Sequence, residues 1–268
     1  MSSADSFDPV HLINPSGDPS VLILCDHASN AVPAAYDRLG LPASAFERHI
    51  AYDIGAAAVA RGLADRLNCP AVLAGFSRLL IDPNRGEDDP TLVMKLSDGA
   101  IIPANRRVDG FNDVSEFERR KTLYYLPYHG AVASAIAAAR AQHIVPALLS
   151  IHSFTPSWKG RDRPWQGGIL WDKDDRLARP LMDVLSQQEG LIIGDNQPYS
   201  GELKGDTMYR HATLAGLPHA LIEIRQDLIV ETDGQEIWTD LLAKAITTVL
   251  RDDRIRTICH YGSSTDGG

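Results

Sequence analysis

Cysteine is scarce in this sequence. Only Cys25, Cys69 and Cys259 occur among the 268 residues, and no two of them stand at a paired spacing. A disulfide framework and a zinc knuckle both need cysteines at characteristic spacings, so the sequence excludes both. We expect reduced thiols and a cytoplasmic protein.

Long apolar runs and an excess of basic residues are also missing. The longest run of small apolar residues, GAVASAIAAARA, is interrupted by Arg140, and a membrane span requires roughly 18 apolar residues. The N-terminal segment has neither the basic start nor the apolar core of a signal peptide. With 35 acidic and 26 basic residues the net charge is −9, which is unfavourable for holding nucleic acid over a broad surface. We therefore expect neither a membrane nor a nucleic acid as partner, and the sequence leaves the oligomeric state unknown.

Repeats, low-complexity segments and linkers are absent as well. We predict a single catalytic domain over residues 1–268, with flexible termini at 1–18 and 255–268. A Gly-x-Ser-x-Gly motif is also lacking, so the sequence gives no support for a serine hydrolase.

The sequence does contain enough apolar residues, 44%, to bury a core. Short apolar runs predict buried strands at 21–25, 71–75, 79–81, 147–151, 168–171, 191–193 and 220–224. Apolar residues at helical spacing predict helices over 43–67, over 114–142 with a break near Pro127, and over 237–250. Strands that alternate with helices indicate an α/β fold around a mostly parallel sheet.

Three of the predicted strands end in residues that can carry chemistry. His27 follows the run VLILC, His152 follows LLSI, and Glu223 follows ALI. The carboxyl ends of parallel strands are where α/β proteins bind ligands. Two imidazoles with a carboxylate beside them are suited to a zinc site with a general base. The alternative for each histidine is an ordinary structural role at a strand end.

The segment SRLLIDPNR adds two guanidinium groups, an amide and a carboxylate. Arg78 and Arg85 are suited to binding a carboxylate, because the planar guanidinium makes two parallel hydrogen bonds. The alternative is that Asp82 pairs with an arginine and ends a turn at Pro83. Taken with the histidines and Glu223, the segment favours a pocket for a small anionic molecule.

Six motifs, taken in order, resemble the N-formylglutamate amidohydrolase family. They are DHASN with His27, SRLLIDPNR with Arg78, PYH with His129, SIHSF with His152, NQPYSG with Tyr199, and IEIRQDL with Glu223. The resemblance extends from about Val21 to Leu250, and the motif order is also similar to the wider zinc carboxypeptidase and aspartoacylase group. It implies an α/β three-layer sandwich around a mostly parallel mixed sheet, phosphorylase/hydrolase-like and zinc-peptidase-like.

The same resemblance implies a reaction and a set of roles. The reaction is metal-dependent hydrolysis of an N-acyl amino acid, with N-formyl-L-glutamate giving formate and L-glutamate at the end of histidine degradation. His27 and His152 would bind one divalent ion, expected to be Zn²⁺. Glu223 would be the general base, and Arg78 would polarise the scissile carbonyl. The implied substrate contacts are Asp82, Asn84, Arg85, Tyr199 and Ser200.

The third metal ligand stays open in the sequence. In the carboxypeptidase group a glutamate stands three residues after the first histidine, but this chain has Asn30, and a neutral amide is a poor zinc ligand. Asp53, four residues after His49 on one face of the predicted helix, and His129 are the other candidates. An ordinary helix contact or a positioning role would explain each of them.

Alternative functions follow from the same residues. A related zinc hydrolase acting on another N-acyl amino acid or on a peptide C-terminus would keep every role. A ligand-binding protein without catalysis is favoured by Asn30 and disfavoured by the retention of Glu223. The loop over 154–171, which holds Trp158, Trp165 and Trp171, is either a lid over the pocket or a packed surface loop.

Overall fold

A seven-stranded sheet forms the centre of the molecule. The computed structural model describes residues 7–267. The strands are β1 (Val10–Ile13), β2 (Val21–Cys25), β3 (Ala71–Ala74), β4 (Ala147–Phe154), β5 (Gly167–Leu170), β6 (Ile193–Asp195) and β7 (His219–Arg225). Across the sheet they lie in the order β1-β3-β2-β4-β7-β5-β6.

The four central strands of this sheet are parallel. β3, β2, β4 and β7 run in one direction, whereas β1 pairs antiparallel with β3 and β5 pairs antiparallel with β7. All residues of β2, β3 and β4 are buried, which is why these strands read as continuous apolar runs. The register places Glu223 of β7 beside His152 of β4 and opposite Gly168 of β5.

Helices and long connections cover both faces of the sheet. The helices are α1 (Ala56–Arg66), α2 (Val114–Arg120), α3 (Leu126–Ala141), α4 (Ala178–Leu185) and α5 (Thr232–Val249). Helices α1, α4 and α5 pack on the face that carries Ile23, Leu149 and Ile222. Helix α3 and the connections around it pack on the opposite face, which carries Leu24, Leu148 and Leu221. The predicted three-layer α/β arrangement is confirmed.

The helix predicted over 43–67 is wrong in its first half. A 3-10 turn covers Ala43–Glu47, and the α-helix begins only at Ala56. Between them the chain turns toward β2, because the backbone N–H of Asp53 donates to the carbonyl of His27 at 2.9 Å. Gly55 then reverses the backbone at φ 80°, a conformation that glycine adopts without strain.

The strand predicted over 79–81 is also absent, although these residues are buried. Their carbonyls find side-chain partners in place of a neighbouring strand. Asn105 donates to the Leu79 carbonyl at 2.8 Å, and Arg120 donates to the Leu80 carbonyl at 2.9 Å. An apolar run marks burial, but it does not show which groups satisfy the backbone.

The helix predicted over 114–142 is present with a break. A π-helical turn over Lys121–Tyr125 separates α2 from α3, just before Pro127. The side chain of Asp113 caps α2 by accepting from the N–H of Glu116 at 3.2 Å, a common way to satisfy a free donor at a helix start.

Both termini contribute to the fold within the described residues. Val10–Ile13 forms the edge strand β1, and Ser263 is buried at 3% exposure. The flexibility predicted for 1–18 and 255–268 stays a prediction. The same prediction for residues 1–6 and 268 lies outside the described part of the chain. Within residues 7–267, no helix has the length and apolar character needed to cross a bilayer.

Candidate active site

The carboxyl ends of β2 and β4 bring His27 and His152 together. His27 lies two residues after β2, and His152 lies within β4. Their ring centroids are 4.8 Å apart and the rings are nearly perpendicular, at 84°. Both side chains are buried. The convergence expected from the two strand ends is therefore present.

Asp53 joins the two histidines from the loop before α1. Its Oδ2 atom lies 3.4 Å from Nδ1 of His27 and 2.8 Å from Nδ1 of His152. One ligand atom from each of the three residues lies within 4.8 Å of the others. Asp53 is thus the candidate third ligand that the structure gathers with both histidines.

The outer nitrogens of both imidazoles face buried carboxylates. Nε2 of His27 lies 2.7 Å from Oδ1 of Asp82, and Nε2 of His152 lies 2.9 Å from Oδ2 of Asp26. When each Nε2–H donates to its carboxylate, the Nδ1 lone pairs point toward Asp53. Carboxylates that orient histidine ligands in this way are typical of zinc sites.

This set of donors fits a divalent cation. Two imidazole lone pairs and a buried carboxylate repel one another unless positive charge lies between them. A proton can supply that charge: burial alone would lower the pKa of His152, but hydrogen bonds and charges from Asp26 and Asp53 raise its pKa well above the ordinary value. Two nitrogens and one carboxylate oxygen are also a ligand set of catalytic zinc.

Glu223 lies beside this group. It stands next to His152 in the register of β7 and β4, and its side chain is 5% exposed. Its Oε2 atom has no hydrogen-bond partner among the described residues. Burial raises the pKa of Glu223 to about 7, against the opposing effect of His152. A buried carboxylate without a partner is costly and is suited to accepting a proton.

Arg78 and Asp82 form a buried ion pair behind His27. Nη2 and Nε of Arg78 donate to Oδ2 of Asp82 at 2.8 and 3.2 Å. The other oxygen of Asp82 faces His27 and also accepts from the backbone N–H of Asn84 at 2.9 Å. Asp82 thus contacts both Arg78 and His27, and it is not among the residues that line the cleft. Its predicted contact with substrate stays a prediction.

Asn84 and Arg85 face the cleft, as expected for groups that bind an anion. Nη1 of Arg85 donates to the Asn84 carbonyl at 3.1 Å, and the Arg85 side chain is 26% exposed. Tyr199 and Ser200 also line the cleft. The hydroxyl of Tyr199 accepts from Arg163 at 3.2 Å.

Asn30 and His129 are engaged elsewhere. The Asn30 amide donates to the Phe46 carbonyl at 2.7 Å. Nδ1 of His129 lies 2.9 Å from Nε2 of His211, and burial lowers the pKa of His129 to about 3. A carboxylate, Asp53, lies beside both histidines, so the amide at Asn30 does not by itself exclude a metal site.

Asp26 and Asp206 are site residues that the sequence analysis missed. Asp26 accepts from Tyr128 at 2.9 Å and from Ser150 at 2.6 Å, besides its contact with His152. Its place directly before His27 at a strand end was the available signal. Asp206 lines the cleft, and burial raises its pKa to about 7. No motif marks Asp206.

A cleft of about 560 Å³ connects these groups. It is lined by His27, Asp53 and His152, which we call the metal group. Arg78, Asn84, Arg85 and Glu223 line it as well. Trp158 and Trp171, from the loop over 154–171, border it as well. Trp158 lies in a short hairpin of Ser157–Trp158 and Arg161–Asp162. One space is thus bordered by a buried carboxylate, by three residues that could hold a metal ion and by two guanidinium groups.

Comparisons with known proteins agree with this geometry. The family model described as N-formylglutamate amidohydrolase matches residues 19–230. A gene product of Agrobacterium tumefaciens with a solved crystal structure is 34% identical, with a TM-score of 0.85 over 91% of this chain and 95% of that chain. The N-formylglutamate amidohydrolase from Ralstonia eutropha JMP134 is 21% identical, with a TM-score of 0.61 over 92% of this chain and 98% of that chain. A search of curated proteins found no match.

The fold and the matched region define a hydrolase that acts on amide bonds. The chain belongs to the N-formylglutamate amidohydrolase family. The resemblance drawn from the sequence motifs is confirmed.

Proposed function

We propose that the chain is a metal-dependent amidohydrolase that cleaves small N-acyl amino acids, with N-formyl-L-glutamate as the substrate expected from its family. One observation carries this proposal. The same cleft is lined by His27, Asp53 and His152, whose ligand atoms lie close together, and by Glu223, whose Oε2 atom has no hydrogen-bond partner among the described residues. An enzyme of this specificity would end histidine degradation, and we expect it in the cytoplasm, where its three unpaired cysteines stay reduced.

His27, Asp53 and His152 would hold one divalent ion, expected to be zinc. A bound zinc ion polarises a carbonyl oxygen and increases the acidity of water. Asp26 and Asp82 keep the two imidazoles oriented through Nε2, so that Nδ1 stays available.

Glu223 would move the proton. A water molecule in the cleft loses its proton to the Glu223 carboxylate as it attacks the amide carbon. The protonated carboxyl then gives the proton to the nitrogen of the leaving amino acid. A pKa near 7 suits both directions of transfer at neutral pH.

Arg85 and Asn84 would bind the carboxylate of the substrate. Arg78, fixed by Asp82, would stabilise the negative charge that develops on the carbonyl oxygen, an effect typically worth a few kcal/mol. The buried ion pair of Arg78 and Asp82 costs no reorganisation during the reaction, because its geometry is set by the fold.

The metal content of the protein tests the proposal. We expect near one zinc per chain in protein purified without chelator or affinity tag, and little in His152→Ala. Formate release from N-formyl-L-glutamate should follow the bound metal. An absence of zinc in the wild type, even after incubation with zinc, contradicts the metal site. Zinc without turnover of any N-acyl amino acid contradicts the substrate class.

Replacement of Arg85 tests the carboxylate contact. Because a hydrogen bond to a charged group is worth about 1.5–3 kcal/mol, Arg85→Ala should raise KM for N-formyl-L-glutamate roughly 10- to 100-fold. An N-formyl amino acid amide without the α-carboxylate should be affected much less. Equal effects on both substrates would remove Arg85 from this role.

A further inference from the structure

The cleft continues past Glu223 along the sheet. Alternate residues of a strand lie on one face, and His219, Leu221 and Glu223 of β7 all line the cleft. At about 3.3 Å per residue, Leu221 lies about 7 Å and His219 about 13 Å from Glu223 along the strand. Leu170 stands opposite Leu221 in the register of β5 and β7 and lines the same space.

This inner part of the cleft is bordered by Leu170, Thr213, His219, Leu221 and Ser263, and we name it the inner chamber. Its polar side chains are already paired. Nδ1 of His219 lies 2.9 Å from the Leu217 carbonyl, and Nε2 lies 3.2 Å from Oγ1 of Thr213. Burial lowers the pKa of His219, so the ring is uncharged at neutral pH.

The inner chamber is poorly suited to binding a carboxylate. Within residues 7–267, the side chains that border it include no lysine or arginine. Ser263 closes its far end, where Ser263 Oγ donates to Oδ2 of Asp172 at 2.6 Å. The Asp172 carboxylate also accepts from the N–H of Ser264 at 2.9 Å. An anionic group at this end would meet a carboxylate and two leucines.

The closing wall lies outside the region that the family model matches. Ser263 and Ser264 lie beyond residue 230, where the match to the family model ends. The backbone carbonyl of Ser263 accepts from Nζ of Lys173 at 2.9 Å, and Asp266 accepts from the Tyr209 hydroxyl at 2.8 Å. The wall at Ser263 therefore does not follow from the family match, whereas Leu170, Thr213, His219 and Leu221 lie within the matched region.

We propose that the inner chamber binds an uncharged apolar group of the substrate, so that the enzyme cleaves N-acyl amino acids larger than N-formyl-L-glutamate. The group is either the chain of the acyl part or the side chain of the amino acid. The inference rests on the proposed function, because it concerns the substrate of the same site. The whole cleft, about 560 Å³, lies within the range of roughly 300–1,000 Å³ typical of drug-sized ligands, and N-formyl-L-glutamate is much smaller than such a ligand.

Two homologous series separate the two sources of the apolar group. The first lengthens the acyl chain on L-glutamate, from formyl through acetyl and butanoyl to hexanoyl. The second lengthens the side chain of an N-formyl amino acid, from alanine through norvaline to norleucine. The zinc-loaded enzyme should show kcat/KM rising about fourfold for each added methylene in one series and not in the other.

A larger side chain inside the inner chamber should remove the preference for longer substrates. Leu221→Phe narrows the chamber, whereas Leu149→Phe adds the same bulk to β4 on the opposite face of the sheet. We expect the ratio of kcat/KM for the longest substrate to that for N-formyl-L-glutamate to fall at least tenfold in Leu221→Phe and to stay within about twofold in Leu149→Phe. A ratio is unaffected by partial loss of folded protein.

The outcomes distinguish this inference from the proposed function. If N-formyl-L-glutamate is cleaved and kcat/KM is flat or falls along both series, the chamber does not bind an apolar group. If no member of either series is cleaved, N-formyl-L-glutamate included, the proposed function itself fails. A third outcome is that kcat/KM rises equally along both series. If Leu221→Phe then leaves the ratio of the longest substrate to N-formyl-L-glutamate unchanged in each series, the preference arises outside the chamber and the inference is overturned.

Discussion

At the scale of single residues, the site is organised by pairs of carboxylates with different surroundings. Asp53 and Glu223 are both buried beside the histidines. Burial opposes the charge of Asp53, but His27 and His152 hold its pKa far below the ordinary value. Burial dominates at Glu223 and raises its pKa to about 7. One carboxylate is therefore suited to binding a cation and the other to accepting a proton.

The assignment of Glu223 as proton acceptor is open to direct test. Glu223→Gln keeps the shape of the side chain but removes its basicity, so kcat should fall by about 10²–10⁴, with zinc content unchanged. Glu202→Gln is a matched control, because Glu202 also lines the cleft but is exposed. It should retain most of the activity. Turnover that survives in Glu223→Gln would show that another group takes the proton.

Some site residues were accessible from the sequence and others were not. His27, His152 and Glu223 stand at the ends of apolar strands, and parallel strands bring such ends together. Asp53 could be named only as one of three candidates, because its loop is placed by a backbone bond to His27. Asp206 carries no local signal, since its burial depends on distant parts of the chain.

At the scale of elements, the sequence predicted buried segments more reliably than the hydrogen-bond partners of their backbone groups. The runs predicted at 21–25, 71–75 and 147–151 fall in β2, β3 and β4, whose residues are all buried, and a continuous apolar run is the signature of that position. The run at 79–81 has the same composition but bonds to Asn105 and Arg120. Partners so distant in sequence leave no local pattern.

The close approach of β5 to the loop after β6 depends on Gly168. A Cβ at this position would lie 1.8 Å from the Gln197 carbonyl oxygen, and Gly168 stands opposite Glu223. Gly168→Ala should lower the free energy of unfolding by about 2–4 kcal/mol, because a backbone atom must move. Chemical denaturation measures this loss.

Gly130→Ala is the control for that substitution. Gly130 lies within α3, and a Cβ there meets nothing within 4 Å. Alanine favours helix over glycine, so this variant should gain about 0.5–1 kcal/mol. Equal effects of the two alanines would contradict the close approach at Gly168.

Asp206, which precedes the π-helical turn over Tyr209–Thr213, gives a prediction about pH. Burial raises the pKa of Asp206 to about 7 in the folded state, against roughly 3.9 in an unfolded chain. Between these values the unfolded chain releases the proton and the folded chain keeps it, so folding stability falls as pH rises. Asp206→Asn removes this loss and keeps the Oδ1 atom that accepts from Tyr209 at 2.7 Å.

We therefore expect the free energy of unfolding of Asp206→Asn, relative to wild type, to rise by about 4 kcal/mol between pH 4 and pH 8. Urea denaturation of both proteins in the presence of a chelator measures this difference without a contribution from bound metal. Asp233→Asn, at an exposed position, should show no such rise. A difference independent of pH would show that Asp206 is ionised throughout.

At the scale of the whole molecule, the metal group connects distant parts of the chain. His27 follows β2, Asp53 precedes α1, and His152 lies in β4. The three residues meet only when the central strands are paired, so an unfolded chain has no preformed site. Binding at such a site stabilises the folded state by mass action.

Zinc should therefore raise the melting temperature of the metal-free protein. At 100 times the dissociation constant the gain is about 2.7 kcal/mol, which corresponds to roughly 5–10 °C for a chain of this size. Differential scanning fluorimetry with and without zinc measures the shift within each variant, so destabilisation by a substitution cancels. Asp53→Asn should reduce the shift below about 2 °C, because an amide is a poorer zinc ligand than a carboxylate. His260→Ala, at an exposed position, should keep the full shift. If Asp53→Asn keeps it as well, zinc binds elsewhere and the metal group of His27, Asp53 and His152 is refuted.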